Sequence, residues 1–561
     1  MLLILMMICA LTEIVSLGSV LPFLGILVAP DKVFNYPFVS NLSHTLGIHN
    51  SSELVLPLTL LFASMAMMAG LFRILLLWVS TRLVHASGAD LSIELYRRTL
   101  YQPYQVHIAR NSSSVISGMS KVEVAVNVMT QLFMLISSTF FLVAIMFTLL
   151  VLNPIVAVSV IVSFGISYIL IVLFSRRRLV RNSRRIAQER NQVIKSIQEG
   201  LGGIRDVLLD GTQSIYCDIY KKADAPLRKA QGHNSFISQS PRFAMEAIGM
   251  VMIATLAYFL SLKNGGLAES IPLLGVLAVG AQRMMPSLQQ VYSAWTNILG
   301  NQTSLSDAID LLEQPMPDSA YSKNNTALPF KSTITLKHIS FSYHNDSPVI
   351  LYDINLNIEK GSRVGFIGPT GSGKSTLLDI IMGLLLPSTG TLEVDDNRVD
   401  LKNHRAWQAR IAHVPQSIFL SDSTIKENIA FGIPVSMIDS NRVFDAAYRA
   451  GISDDIMLMP DKFETFVGER GVRLSGGQRQ RIGIARALYK QADVLIFDEA
   501  TSALDSDTEQ HVMNSIETLD NQITVLIIAH RLTTLKNCTQ IVELRDGSIQ
   551  KVGTYQEVIL S

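Results

Sequence analysis

The sequence predicts a two-part protein. An α-helical membrane domain with six transmembrane helices and long cytoplasmic extensions fills residues 1–314, a linker spans 315–330, and an α/β domain built on a phosphate-binding loop fills 331–561. Three observations carry this reading. The 561-residue chain is 48% hydrophobic and only 17% charged, with mean hydropathy +0.32, whereas an average soluble chain has about 25% charged residues. Apolar runs long enough to cross a bilayer crowd its N-terminal half. Further on, Gly368-Pro369-Thr370-Gly371-Ser372-Gly373-Lys374-Ser375 fits G-x-x-x-x-G-K-[ST], between the apolar run Val364 to Ile367 and a helix opening at Thr376.

Residues 1–29 are almost wholly apolar, interrupted by Glu13 and small polar residues. A cleaved signal would have a basic lead and a shorter core, so this is a retained span. The missing basic lead-in points to a start upstream of Met1. Hydropathy places five more spans at 54–80, 124–152, 154–174, 244–262 and 271–299, by the ~20-residue criterion. Asn153-Pro154 suits a tight outer turn, and 30–53 has room for a short outer helix.

Charge sets the orientation. Arg82, Arg97, Arg98, Arg110 and Lys121 follow the second span, and Arg176, Arg177, Arg178, Arg181, Arg184 and Arg185 follow the fourth. The opposite loops hold little beyond Lys32 and Lys263. Basic loops stay in the cytoplasm, and an even number of spans puts the phosphate loop there too, below a cell inner membrane. Ile186, Val193, Ile197 and Ile204 recur at near-helical spacing, so the spans run on as helices into the cytosol and return. Their turns, near 102–114 and 210–220, are expected to touch the ATP-binding part. A net charge of +1 gives no argument for nucleic acid. Cys9, Cys217 and Cys538 are too scattered for a disulfide framework or a zinc site.

Ionisable residues inside spans are costly and tend to be functional. Here they are Glu13, Arg73, Arg242, Glu246 and Arg283. Arg283, mid-span beside Met284-Met285-Pro286, is the best candidate for an anionic substrate, next to a proline expected to kink the helix. Arg73 and Arg242 lie nearer the inner ends, where snorkelling competes with function. Glu13 and Glu246 suit pairing with these arginines as well as substrate contact.

In the second half, Lys374 is placed to reach the β- and γ-phosphates and Ser375 to hold Mg²⁺. Val494-Leu495-Ile496-Phe497 is an apolar strand ending at Asp498 and Glu499. Asp498 suits a second Mg²⁺ contact and Glu499 a general base for water. Ser475, Gly476, Gly477 and Gln478 open a helix and form another phosphate-binding N-terminus. Gln416 and His530 each follow an apolar run.

The phosphate loop, Leu474-Ser475-Gly476-Gly477-Gln478, the Asp498-Glu499 strand, Ser502-Ala503-Leu504-Asp505 and Ala529-His530-Arg531, in that order, resemble the ATP-binding cassette (ABC) family over essentially the whole chain. The resemblance implies an α/β ATP-binding cassette, with ATP and Mg²⁺ as cofactors. Tyr343 would stack on adenine, and Lys374, Ser375 and Thr376 would hold phosphates and metal. Gln416 would sense the γ-phosphate and Mg²⁺, with Asp498 supporting the metal and Glu499 as base. His530 would contact the γ-phosphate and Asp505 the dimer interface. Val467-Gly468-Glu469-Arg470-Gly471 looks like an exporter-type loop. Each ATP would lie between one phosphate loop and the partner's Ser475, Gly477 and Gln478. A chain with one of each then needs a second copy, simplest as a homodimer.

Within the exporters, Ser19-Val20-Leu21-Pro22-Phe23-Leu24, Ser240-Pro241-Arg242 with Glu246, and Arg283-Met284-Met285-Pro286-Ser287 resemble the bacterial PglK-type flippases of lipid-linked oligosaccharides. That likeness implies a basic lining of Arg73, Arg242 and Arg283 for a pyrophosphate head group, although Gln290 is uncharged where a further cation would be expected. A lipid or multidrug exporter of the same architecture is the alternative, and an ATP-gated channel or regulator is a third reading that an intact Glu499 argues against.

Overall fold

The computed structural model describes residues 1–28, 53, 55–152, 154–261, 266–317, 327–344, 346–499, 522–528 and 535–559. His530, Asp505, the rest of the Ser502-to-Asp505 and Ala529-to-Arg531 motifs, the 30–53 outer segment and most of the linker lie outside the described residues. The chain divides into two compact units. One is Met1–Leu100 with Arg110–Pro315; the other is Tyr101–Ala109 with Met316–Ser561.

The first unit is helical. Its elements are α1 (Leu2–Gly18), α2 (Val20–Val28), α3 (Val55–Leu100), α5 (Ser112–Leu152), α6 (Pro154–Gly202), α7 (Ile204–Leu209), α8 (Gln213–Ser261), α9 (Gly266–Gly300) and α10 (Gln302–Leu312). All six expected spans fall on helices. The first is not one helix, however: it breaks at Ser19. Pro22 has no N–H for the Gly18 carbonyl, so a rung is missing there, and the ladder resumes with the Phe23 N–H donating to the Ser19 carbonyl at 3.3 Å. Helices α3, α5, α6 and α8 run far beyond bilayer length, as the cytoplasmic periodicity predicts. The second turn comes earlier than expected, around Gly203 and at 210–212, with α8 already helical from Gln213. Helix α9 continues through Pro286. Leu17, Ile145, Phe164, Met245 and Met284 form one buried cluster of this unit, and Met6, Leu76 and Phe141 another.

The short helix α4 (Tyr104–Ala109) belongs to the second unit although its neighbours in sequence belong to the first. The second unit carries two sheets. Strands β1 (Thr333–Phe341), β2 (Leu351–Glu359), β4 (Thr389–Val394) and β5 (Asn397–Arg398) pair antiparallel in the order β2-β1-β4-β5. Strands β3 (Arg363–Ile367), β6 (Ile411–Val414), β7 (Val494–Asp498), β8 (Thr524–Ile528), β9 (Gln540–Arg545) and β10 (Ser548–Gly553) form the larger sheet, in the order β10-β9-β3-β8-β7-β6. It is parallel except for the β9–β10 hairpin. Both faces of a parallel strand are covered, which is why β7 and β8 read as unbroken apolar runs. Phe330, expected in the linker, is 4% exposed and packs edge-on against Trp407, so the α/β core begins just before 331. Helix α11 (Lys374–Ile381) packs its Leu377, Leu378, Ile380 and Ile381 into the first core cluster, and α12 (Gly476–Tyr489) packs Ile482, Ile484 and Ala485 into the second.

Candidate functional site

In a parallel sheet the carboxyl ends of the strands make the ligand crevice. Here β3 ends in the phosphate loop, β7 in Asp498 and Glu499, and β6 runs on to Gln416. Gly368 and Gly373 stand at φ +142° and +96°. A Cβ on Gly368 would fall 2.0 Å from the Leu544 carbonyl oxygen, and one on Gly373 2.7 Å from a Leu351 methyl. Only glycine lets the backbone pass so close. Pro369, Thr370, Gly371 and Ser375 are exposed at the rim. Ser372 is 3% exposed, and its Oγ has no hydrogen-bond partner among the described residues. Lys374 Nζ donates to the carbonyl oxygens of Gly368 and Pro369 at 2.9 Å each. Burial pulls its pKa below the ordinary value, while Glu499 and Asp498 pull it back up. An orphaned buried hydroxyl, a glycine cradle and an ammonium fit a polyphosphate.

Glu499 adopts φ 51°, an uncommon conformation for a non-glycine residue. Its N–H donates to the Ile528 carbonyl at 3.2 Å, and its Oε2 accepts from Gln416 Nε2 at 2.5 Å. Asp498, Gln416 and Ser375 offer one carboxylate, one amide oxygen and one hydroxyl. That hard oxygen set suits Mg²⁺, which keeps several waters and phosphate oxygens of its own.

Tyr343 sets its Oη 3.2 Å from Thr376 Oγ1 and packs its ring edge-on to Phe341 at 5.1 Å. Its carbonyl accepts from Gln105 Nε2 of α4 at 2.6 Å. Ser475 caps α12: its Oγ accepts from Gln478 N at 3.2 Å, and Gln478 Oε1 accepts from Ser475 N at 3.0 Å. The reciprocal cap leaves the serine hydroxyl proton free to donate outward. Ser475 and Gly476 are exposed, with Gly477 and Gln478 partly so. The Gly468 loop has positive φ at Gly468, Arg470 and Gly471.

Sequence reasoning missed Asp379. Burial, with the Asp498 carboxylate nearby, raises its pKa to about 6. An aspartate one and a half turns past Lys374 gives no signal of its burial in the sequence.

The membrane unit has its own site. Glu13 is 1% exposed and sits between two arginines from other helices. Arg73 Nη2 holds Glu13 Oε2 at 2.7 Å; Arg283 Nη1 holds Oε1 at 2.6 Å and reaches Ser16 Oγ at 3.3 Å. Arg73, expected near an inner end, is therefore tied to a buried acid, and its guanidinium lies 5.0 Å over the Phe141 ring. Both arginines line a cavity of about 670 Å³, with apolar wall from Met6, Leu76, Phe133 and Phe141. Arg242 does not share this cavity. It pairs with Glu246 one turn on and lines a neighbouring hollow of about 520 Å³. Four residues separate them on one helix, so that pairing is local. Gln290 lines both hollows and accepts from Ser138 Oγ at 2.8 Å. The aromatic wall had no signal in the sequence, because any span is apolar throughout.

A family model described as "ABC transporter transmembrane region" matches residues 9–269, and one described as "ABC transporter" matches 351–502. Over 398 residues the chain is 31% identical to an ATP-dependent lipid A-core flippase of Burkholderia pseudomallei, covering 68% of this chain and 64% of that one. YgaD of Bacillus subtilis, an ATP-binding/permease protein assigned provisionally to multidrug export, is 27% identical over 533 residues, 89% of this chain and 87% of its own. The ABC transporter ATM1 of Toxoplasma gondii is 41% identical over 213 residues, 38% of this chain, so the chain spans only 19% of that protein's length. A solved structure of a bacterial Atm1-family ABC exporter with ATP bound has the same fold, with TM-score 0.81 at 23% identity over 98% of this chain and 95% of that one. With a transmembrane region and an ATP-binding region matched in order on one polypeptide, the chain belongs to the ABC transporters as a half-transporter.

Proposed function

We propose that this chain is one half of a homodimeric ATPase that exports an anionic lipid-linked substrate, a lipid-linked oligosaccharide, across the cytoplasmic membrane by alternating access. The observation that carries the substrate class is the pair Arg73 and Arg283 on the wall of a cavity that is otherwise lined by both apolar side chains, among them Leu76, Phe133 and Phe141, and uncharged polar ones such as Ser137 and Gln290. Guanidinium binds phosphate bidentately, and the apolar side chains of the lining suit the adjoining lipid. A volume of about 670 Å³ is within the range of head-group or small-ligand sites.

For the nucleotide, Gly368, Gly371, Gly373 and Lys374 hold phosphates, and Ser375, Gln416 and Asp498 hold Mg²⁺. The metal supplies charge neutralisation between the phosphates. Glu499 takes the proton of the attacking water, oriented by the Gln416 amide. Ser475, Gly477 and Gln478 serve the nucleotide of the second copy, with Asp505 at the dimer contact and His530 at the γ-phosphate. Closure of the paired cassettes on ATP opens the membrane cavity outward, and hydrolysis resets it.

The lipid reading is also supported by the relatives named as ATP-dependent lipid A-core flippases. The test is reconstitution in liposomes with a fluorescent lipid-linked oligosaccharide. ATP-dependent movement between leaflets that is lost in Glu499→Gln and in Arg283→Ala supports the proposal. ATPase activity with no lipid movement overturns the oligosaccharide and leaves a lipid or multidrug exporter.

A further inference from the structure

Behind the cavity wall, paired to both of its arginines, sits an acid that the proposed task does not call for. An anion site built from Arg73 and Arg283 alone would carry two positive charges. Glu13 spends part of that charge internally: it is 1% exposed and bonded to both guanidiniums through separate oxygens. Glu13 lies behind the two arginines and does not itself line the cavity, and no carboxylate lines it among the described residues. The three side chains come from α1, α3 and α9, so the carboxylate also ties together the helices that form the wall. Each guanidinium has five N–H donors. Arg73 remains 45% exposed and Arg283 26%, so both keep donor surface for a ligand.

We propose that Glu13 is a positioning and specificity-determining residue. It holds Arg73 and Arg283 at the cavity wall and leaves the site one net positive charge, so that a phosphate head group binds there and can still leave. This rests on the reading of the cavity as an anion site. A carboxylate is the chemical counterpart of the phosphate oxygens it precedes. The incoming anion therefore finds donors already oriented, and meets a competitor for them when it departs. Without Glu13 the site would hold its anion more tightly and release it more slowly, and turnover would suffer.

The test uses the full chain in phosphatidylcholine nanodiscs doped with phosphatidic acid, or with diacylglycerol as the uncharged control. ATPase rate is followed against lipid fraction. Wild type should be stimulated by phosphatidic acid and not by diacylglycerol; no discrimination between them overturns the anion-site reading itself. Given discrimination, Glu13→Gln keeps the shape and adds one net positive charge. Its half-saturating phosphatidic acid fraction should fall roughly tenfold, the scale of one charge at a half-solvated site, with a lower maximal rate. Arg73→Gln should raise half-saturation, and Glu13→Gln/Arg73→Gln, back at one net charge, should return towards wild type. If Glu13→Gln does not fold, Arg73→Gln and the double variant carry the test. Half-saturation unchanged or raised in Glu13→Gln, or no recovery in the double variant, overturns the role of Glu13, because a residue that only packs the helices has no reason to follow the charge count.

Discussion

Gln416 donates its side-chain N–H to Glu499 at 2.5 Å, bridging the segment after β6 and the end of β7. The contact orients a carboxylate whose backbone is already held at φ 51°. Glu499→Gln should therefore keep nucleotide binding and lose turnover by about 10²–10⁴-fold, the range of a missing general base. Retention of labelled ATP together with single-turnover hydrolysis checks this, and normal turnover would remove Glu499 from the role.

Gly368→Ala should abolish tight nucleotide binding. Its Cβ would collide with the Leu544 carbonyl, and φ of +142° is closed to alanine. Fluorescent-nucleotide titration of the purified chain reads the loss directly, whereas Gly371→Ala, at φ +84° with open space around it, should bind more weakly than wild type but better than Gly368→Ala.

Arg283→Ala leaves Glu13 with Arg73 as its remaining ion-pair partner among the described contacts. Breaking a buried pair should destabilise the membrane unit by about 3 kcal/mol. Thermal unfolding in detergent should show this, with Glu13→Gln/Arg283→Met less affected than Arg283→Ala.

Gly483 of α12 lies against Ile418: a Cβ there would meet its terminal methyl at 2.1 Å and two further side-chain carbons within 3.2 Å. Gly483→Val should cost about 1–3 kcal/mol by overpacking and displace the segment that carries Gln416. Adding Ile418→Ala should recover part of the loss, measured as a double-mutant cycle on stability and ATPase rate.

Asp379 gives a pH signature. Unfolded, it titrates near 3.8; folded, burial and Asp498 lift it to about 6. Between these values the folded chain binds the extra proton. Asp379 therefore favours the fold at low pH and turns against it as pH rises through 6. Asp379→Asn should melt higher than wild type at pH 7–8, with the gap closing as pH falls toward 4. A gap that is constant across pH would remove the titration as its cause.

Much was legible without coordinates. The glycines of 368–373 read as a phosphate cradle, the run into Asp498 as a buried strand, and Ser475 to Gln478 as the opening of a helix. The helices past the bilayer could be read from Ile186, Val193 and Ile197. Less legible was the break at Ser19, visible only as Pro22 within an otherwise apolar run. The grouping of Tyr101–Ala109 with the α/β unit was expected from a turn but not its extent.

The sequence by itself determined the family, the order of its parts and the phosphate chemistry, because these depend on local rules: which residue tolerates positive φ, which span is apolar, which carboxylate ends a strand. Only the tertiary structure decided that Glu13 lies between Arg73 and Arg283, that Arg242 sits in a different hollow, and that Gln416 holds Glu499. Such pairings join residues far apart in the chain. Whether a charge is spent on a neighbour or left for a ligand depends on distances that no local pattern contains.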